Sequence, residues 1–156
     1  MLRWNRSDRS EFLSGIDRFL TPSDMTPHLC SKVGAGTESL YEECKGMPTL
    51  SSYLTPSSDF PLHVPSTPRY FISATYRDLN RASQHVLFFR TESDRERASV
   101  LLNSSFTYWW WRVTGGGMTL SRETLETLPV PSFDYPSSLI QLIKNSENEN
   151  LVSKRN

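Results

Sequence analysis

The sequence predicts a small α+β domain, a short antiparallel sheet packed by amphipathic helices, and three observations carry that expectation. Apolar residues recur at helical spacing in several separate stretches, among them 8–20, 93–106 and 136–143. Two compact runs, Tyr70–Thr75 and His85–Phe89, are rich in the aromatic and β-branched residues that suit strands. Before them lies a long segment, 47–68, dominated by Pro, Ser and Thr, which reads as loop or partly ordered linker. A chain of 156 residues fits one domain with tails, and 12% aromatic residues supply the bulk of a core.

Taken in order, the first element is a helix over 8–20. Phe12, Leu13, Ile16, Phe19 and Leu20 share one face, and Asp8 with Glu11 forms a capping box. Thr21-Pro22 ends it. The Gly34-x-Gly36 pair in the following loop lacks the third glycine, the preceding strand and the Lys-Ser/Thr of a phosphate cradle, so it reads as a turn. A short helix follows, capped by Thr37, with Leu40, Tyr41 and Cys44 inward and Gly46 closing it. After the Pro-rich segment come the two strands. The second, His85–Phe89, carries more apolar residues than alternation needs, which places it at the centre of the sheet.

The stretch 93–133 is the most informative. Ser93 and Glu96 make a capping box for a helix with Ala98, Leu101, Leu102 and Phe106 on one side. Phe106–Val113 contains Trp109-Trp110-Trp111 and is compatible with a strand or a continuing helix. Three consecutive tryptophans cannot all face one core from one element, so at least one is expected at a surface or an interface. Gly115-Gly116-Gly117 is loop, because three glycines lose too much backbone entropy inside an element. A helix from Ser121 carries Leu125 and Leu128 and stops at Pro129. Pro136 starts a last helix with Leu139, Ile140, Leu142 and Ile143, and the end of the chain reads as frayed. The chain thus divides into an N-terminal helical segment (1–24), a body (25–135), and a C-terminal helix with its tail (136–156).

Net charge is zero, which by itself disfavours a polyanionic partner. The distribution differs: residues 69–122 hold eight Arg, four acidic residues and no Lys, a local balance of 8 − 4 = +4. Arg without Lys suits bidentate recognition of phosphates and guanine edges, while a solvated, ion-paired surface is the plainer reading. Cys30 and Cys44 have no metal-type spacing and read as free thiols of a reducing compartment. No apolar run approaches a membrane span, so the expectation is a soluble, cytoplasmic protein without a membrane partner.

No catalytic constellation is legible. His28, His63 and His85 are scattered, no Gly-x-Ser-x-Gly elbow occurs, and no Cys/His cluster suits zinc. The acids sit mostly at helix starts, where capping and the helix dipole account for them. No cofactor is expected in this chain.

The segments Leu101-Leu102-Asn103-Ser104-Ser105, Tyr108 to Gly116 and Leu120 to Pro131 together resemble the C-terminal target-recognition region of adenine-specific N6 DNA methyltransferases, the fused restriction-modification enzymes of the type IIG kind. The resemblance covers residues 25–135, with its weight on 85–133. The family's Asn/Asp-Pro-Pro-Tyr/Phe motif and glycine-rich S-adenosylmethionine loop are absent, and no Pro-Pro dipeptide occurs anywhere. The resemblance therefore implies recognition without chemistry: a specificity module that binds double-stranded DNA beside a methyltransferase catalytic domain or subunit, which would bind the S-adenosylmethionine. On that basis the contact candidates are Arg69, Arg77, Arg81 and Arg112, with Thr114 and Gly115, Gly116 and Gly117 as a loop that lets backbone approach phosphates. The rival expectation, favoured by zero net charge, is a protein-interaction module that docks on a catalytic subunit without touching DNA.

Overall fold

The computed structural model describes residues 9–15, 21–22, 30–31, 37–115, 117–132 and 135–153. Helix α1 (Arg9–Ser14) is followed by a two-residue strand pair, β1 (Thr21–Pro22) and β2 (Cys30–Ser31), and by α2 (Glu38–Cys44). A 3-10 turn (Leu50–Tyr53) leads into β3 (Leu54–Thr55), β4 (Pro61–Pro65) and β5 (Gln84–Phe89). Four helices complete the chain: α3 (Glu92–Leu102), α4 (Ser105–Thr114), α5 (Arg122–Glu126) and α6 (Ser137–Ser153). The fold is α+β, as expected. Residues 16–20, the Gly34-x-Gly36 turn, His28, Gly116 and Phe133 lie outside the described residues.

The three-stranded sheet is antiparallel in the order β3-β5-β4, so the strand with surplus apolar residues is the central one. Its partners are not where strand propensity points. The Pro-rich segment read as linker supplies both: Leu54 pairs with Phe89, and Leu62 with Leu87. Leu62 and Val64 alternate inward with no exposed surface, and the prolines occupy the two ends of an edge strand, where a missing N–H does least harm. Tyr70–Thr75, read as a strand, forms none. Ile72 and Ala74 are buried in alternation, but only Thr75 pairs, through a reciprocal bridge to His63 of β4 at 2.8 and 2.9 Å. That bridge covers β4's outer edge, which would otherwise present unpaired backbone groups.

The helices follow the sequence closely except at their ends. Helix α3 starts two residues early, because β5 delivers extended chain to Thr91. The Thr91 Oγ1 accepts from Asp94 N–H and donates to the Asp94 carboxylate, so Thr91 and Asp94, rather than Ser93 and Glu96, form the cap. Phe106–Val113 is helical, within an α4 capped by Ser104. Ser121 caps α5 as expected. Leu40, expected inward, is 37% exposed, while Tyr41 and Cys44 are buried. The tail read as frayed is helical to Ser153, and α6 packs on α3.

The core lies between the inner face of the sheet and α2 to α5. Trp110 and Trp111 are its largest side chains, at 0% and 1% exposure, and Trp109 is half-buried against Phe106 and Trp110. Trp110 stacks on Tyr41 with ring centroids 6.1 Å apart. The Trp111 indole N–H donates to Thr119 O at 3.1 Å, which ties the chain after the glycine triplet back onto α4. Cys44 is a free thiol, pushed up to about 11 by burial and then by Glu43.

Candidate nucleic-acid interface

Between β4 and β5 the chain makes one long excursion, residues 66–83, which we term the arm. Its ends meet: Ser66 N–H donates to Ser83 O at 3.1 Å, as in an Ω-loop. Halfway along it is clamped to the helices. Asn103, the C-cap of α3, accepts from Ala74 N–H at 3.1 Å and donates to Ala74 O at 2.9 Å. Both Glu147 oxygens of α6 accept from Tyr76 N–H, at 3.0 and 3.2 Å. The Tyr76 hydroxyl meets Ser99 Oγ at 2.7 Å, and the guanidinium of Arg95 lies 5.1 Å from the Tyr76 ring. The clamp divides the arm into two exposed lobes.

The first lobe carries Arg69, Tyr70 and Phe71. Tyr70 is 83% exposed and Phe71 69%, large values for adjacent aromatic side chains. The second carries Arg77, Asp78, Asn80 and Arg81. Gln84 and Asn80 N–H both bond the Asp78 carboxylate and hold it below its ordinary range, while Asn80 takes the left-handed turn (φ 52°) that Asn tolerates. Three of the four candidate arginines are thus brought onto one ordered excursion. Arg69 and Arg81 are exposed, with no hydrogen-bond or ion-pair partner among the described residues. Arg77 makes one neutral contact, from Nη2 to Asn148 Oδ1 at 2.9 Å.

The other predicted residues sit differently. Arg112 is exposed, but its Nη1 donates to Gly117 O at 2.9 Å and its guanidinium lies over the Trp111 ring. Thr114 is 2% exposed, and its hydroxyl donates to Trp110 O at 2.7 Å, a bond within α4 that leaves nothing for a partner. Gly115 ends α4 with its N–H on Trp111 O, and a Cβ there would meet that oxygen at 2.8 Å. Gly117 has φ +79°, and a Cβ would meet Arg112 Nη1 at 2.8 Å. Both glycines therefore have structural reasons to be glycine. The loop they open reaches the base of the arm, where Leu120 N–H donates to Ser66 O at 2.8 Å and Leu120 O accepts the His85 ring contact.

The remaining arginines of the basic stretch are engaged. Arg95 pairs with Glu92, Arg122 with Glu126, and Arg90 reaches Leu54 O. The half-buried Lys144 pairs with Glu96 and is thereby raised above its ordinary pKa. Among the described residues no group of three or more His, Cys, Asp or Glu is placed to hold a metal, and no helix is long and apolar enough to cross a membrane.

Sequence reasoning missed Tyr70 and Phe71 as surface groups, because a strand reading assigns such residues to a sheet. A signal was present for Phe71 alone, which alternates against the buried Ile72 and Ala74; Tyr70 shares their parity and would be placed inward by the same pattern. Comparison with protein-family models, curated proteins and solved structures finds no match for the chain.

Proposed function

We propose that this chain is a DNA-binding recognition module whose arm delivers Arg69, Arg77 and Arg81 to the phosphate backbone, working beside a methyltransferase catalytic domain of the kind its sequence resembles. The observation that carries the reading is the pair of exposed, unpartnered guanidiniums, Arg69 and Arg81, on a loop clamped at its base and middle. An ordered loop spares the backbone entropy of ordering on meeting a phosphate, and guanidiniums match its oxygens bidentately. The buried tryptophans and the Arg112–Gly117 lock hold the scaffold from which the arm projects.

The test is a fluorescence-anisotropy titration with duplex DNA at two salt concentrations. Three phosphate contacts predict a slope of log K on log salt of roughly −3, which the triple variant R69A/R77A/R81A reduces towards zero. No binding by a folded, monodisperse sample at low salt would sink the reading.

One observation favours the rival, a module that docks on another protein. Leu139 and Leu142 of α6 are 37% and 63% exposed, on a helix that packs on α3. Copurification with a catalytic subunit, abolished by L139D/L142D and indifferent to the arginines, would support it.

A further inference from the structure

Where the first lobe of the arm passes α6, the two enclose an open groove of about 340 Å³. Phe71 forms one wall, and Leu142 with Ile143 the other. Ala74 and Asn103 line it between them, and Ser73 and Glu147 add polar atoms. Asn103 is spent on the clamp, its amide bonded to Ala74 and to Ser99 O. The Ser73 hydroxyl has no partner among the described residues, and the Glu147 carboxylate keeps acceptor capacity beyond its contact with Tyr76.

Resting on the DNA-binding reading above, we infer that this groove takes an unpaired base of single-stranded DNA, stacked on Phe71, with Tyr70 offering a second stacking face to the neighbouring base. Charge complementarity selects this occupant. Arg69 lies two residues before Phe71, and Arg77, bonded to Asn148 of α6, lies two residues after Thr75, so guanidiniums of the arm bracket the stretch that lines the groove, beside its one carboxylate, Glu147. An aromatic ring and aliphatic side chains lining one groove, with guanidiniums alongside, match a chain of alternating planar bases and phosphates. The side chains involved cost the fold little to offer, since Tyr70, Phe71 and Leu142 are all more than 60% exposed.

The experiment uses the full chain and two fluorescein-labelled probes of one mixed sequence, a single strand and its duplex, titrated between about 50 and 200 mM salt. The single strand is expected to bind about tenfold tighter. Y70A/F71A is expected to weaken single-strand binding roughly tenfold or more, with little change in salt slope and with the folded state intact. L142E, which places a carboxylate on the opposite wall, should produce a loss of the same sign. Equal affinity for the two probes, or no loss on Y70A/F71A, overturns base stacking while leaving the phosphate contacts standing. Failure of both probes to bind overturns the stacking and the DNA-binding reading together.

Discussion

Helix α4 and the arm both combine aromatic residues with arginine, and they put them to opposite uses. In α4 the rings of Trp110 and Trp111 are removed from solvent, and Arg112 lies over Trp111 with its guanidinium on Gly117 O. In the arm Tyr70 and Phe71 stand in solvent beside an unpartnered Arg69. The difference lies in what surrounds each segment. A helix capped by Ser104 and lying against α3, α5 and the Tyr41 ring of α2 turns its tryptophans inward, whereas an arm fixed by Ala74, Thr75 and Tyr76 buries Pro68, Ile72 and Ala74 and leaves Arg69, Tyr70 and Phe71 outward. Aromatic content in the first case is fold stability and in the second is exposed surface.

The sharpest contrast is in stability. Trp110→Ala should cost about 3–5 kcal/mol in denaturant unfolding, the usual range for a fully buried aromatic truncated in a core. Tyr70→Ala should change it by no more than about 0.5 kcal/mol, as surface substitutions do. Equal costs would break the comparison by showing that the arm's aromatics are packed.

The clamp comes next. Asn103→Ala removes the partners of both Ala74 backbone groups, and a loss of about 1–3 kcal/mol is expected. Hydrogen exchange at the Ala74 amide should accelerate more than exchange in β5, since the arm loosens before the sheet does. Uniform acceleration would show that arm and sheet open as one unit.

Gly117→Ala tests the lock on the tryptophan side. An L-residue at φ +79° is expected to cost about 1–2 kcal/mol, to which contact with the Arg112 guanidinium adds. Repeating the substitution in an Arg112→Ala background should recover the contact part and leave the backbone part, a non-additivity that a double-mutant cycle reads directly.

The smallest expected effect is a pH dependence. Burial holds the Glu147 carboxyl above its ordinary range, partly offset by Tyr76 N–H and by Arg77. Because the folded state then prefers the protonated acid, its contribution to stability is present below the unfolded carboxyl value of about 4.3 and is lost as pH rises through the higher folded value. Glu147→Gln should gain on the natural chain as pH rises from about 4 to 7, measured as the urea midpoint. A constant difference across that range would mean that the carboxylate is solvated.

Legibility followed the range of the interaction. Ser121 as a cap and the glycine break after α4 rest on contacts within a few positions of one another, and local pattern predicts those classes of feature. The strands β3 and β4 were hidden in a Pro-rich segment because pairing with β5, distant in sequence, makes them strands. The α6 tail looked frayed for the same reason: Glu147 bonds Tyr76, and Lys144 pairs with Glu96 of α3. Four arginines were named as contacts from residue type and the family resemblance, and only the fold separates the unpartnered Arg69 and Arg81 from the engaged Arg112.

By itself the sequence determined the α+β class, the central place of His85–Phe89, the helix over 92–102 to within a turn, and the glycine break after α4, all consequences of periodicity, propensity and backbone freedom. Tertiary structure alone decided which chain flanks the central strand, that residues 66–83 form an arm pinned by Asn103 and Glu147, and that Tyr70 and Phe71 face solvent beside a groove on α6. A local pattern states what a segment is able to bury. The partner that buries it, or leaves it exposed, is chosen by the rest of the chain, where the free energy of removing apolar surface from water depends on what arrives to cover it.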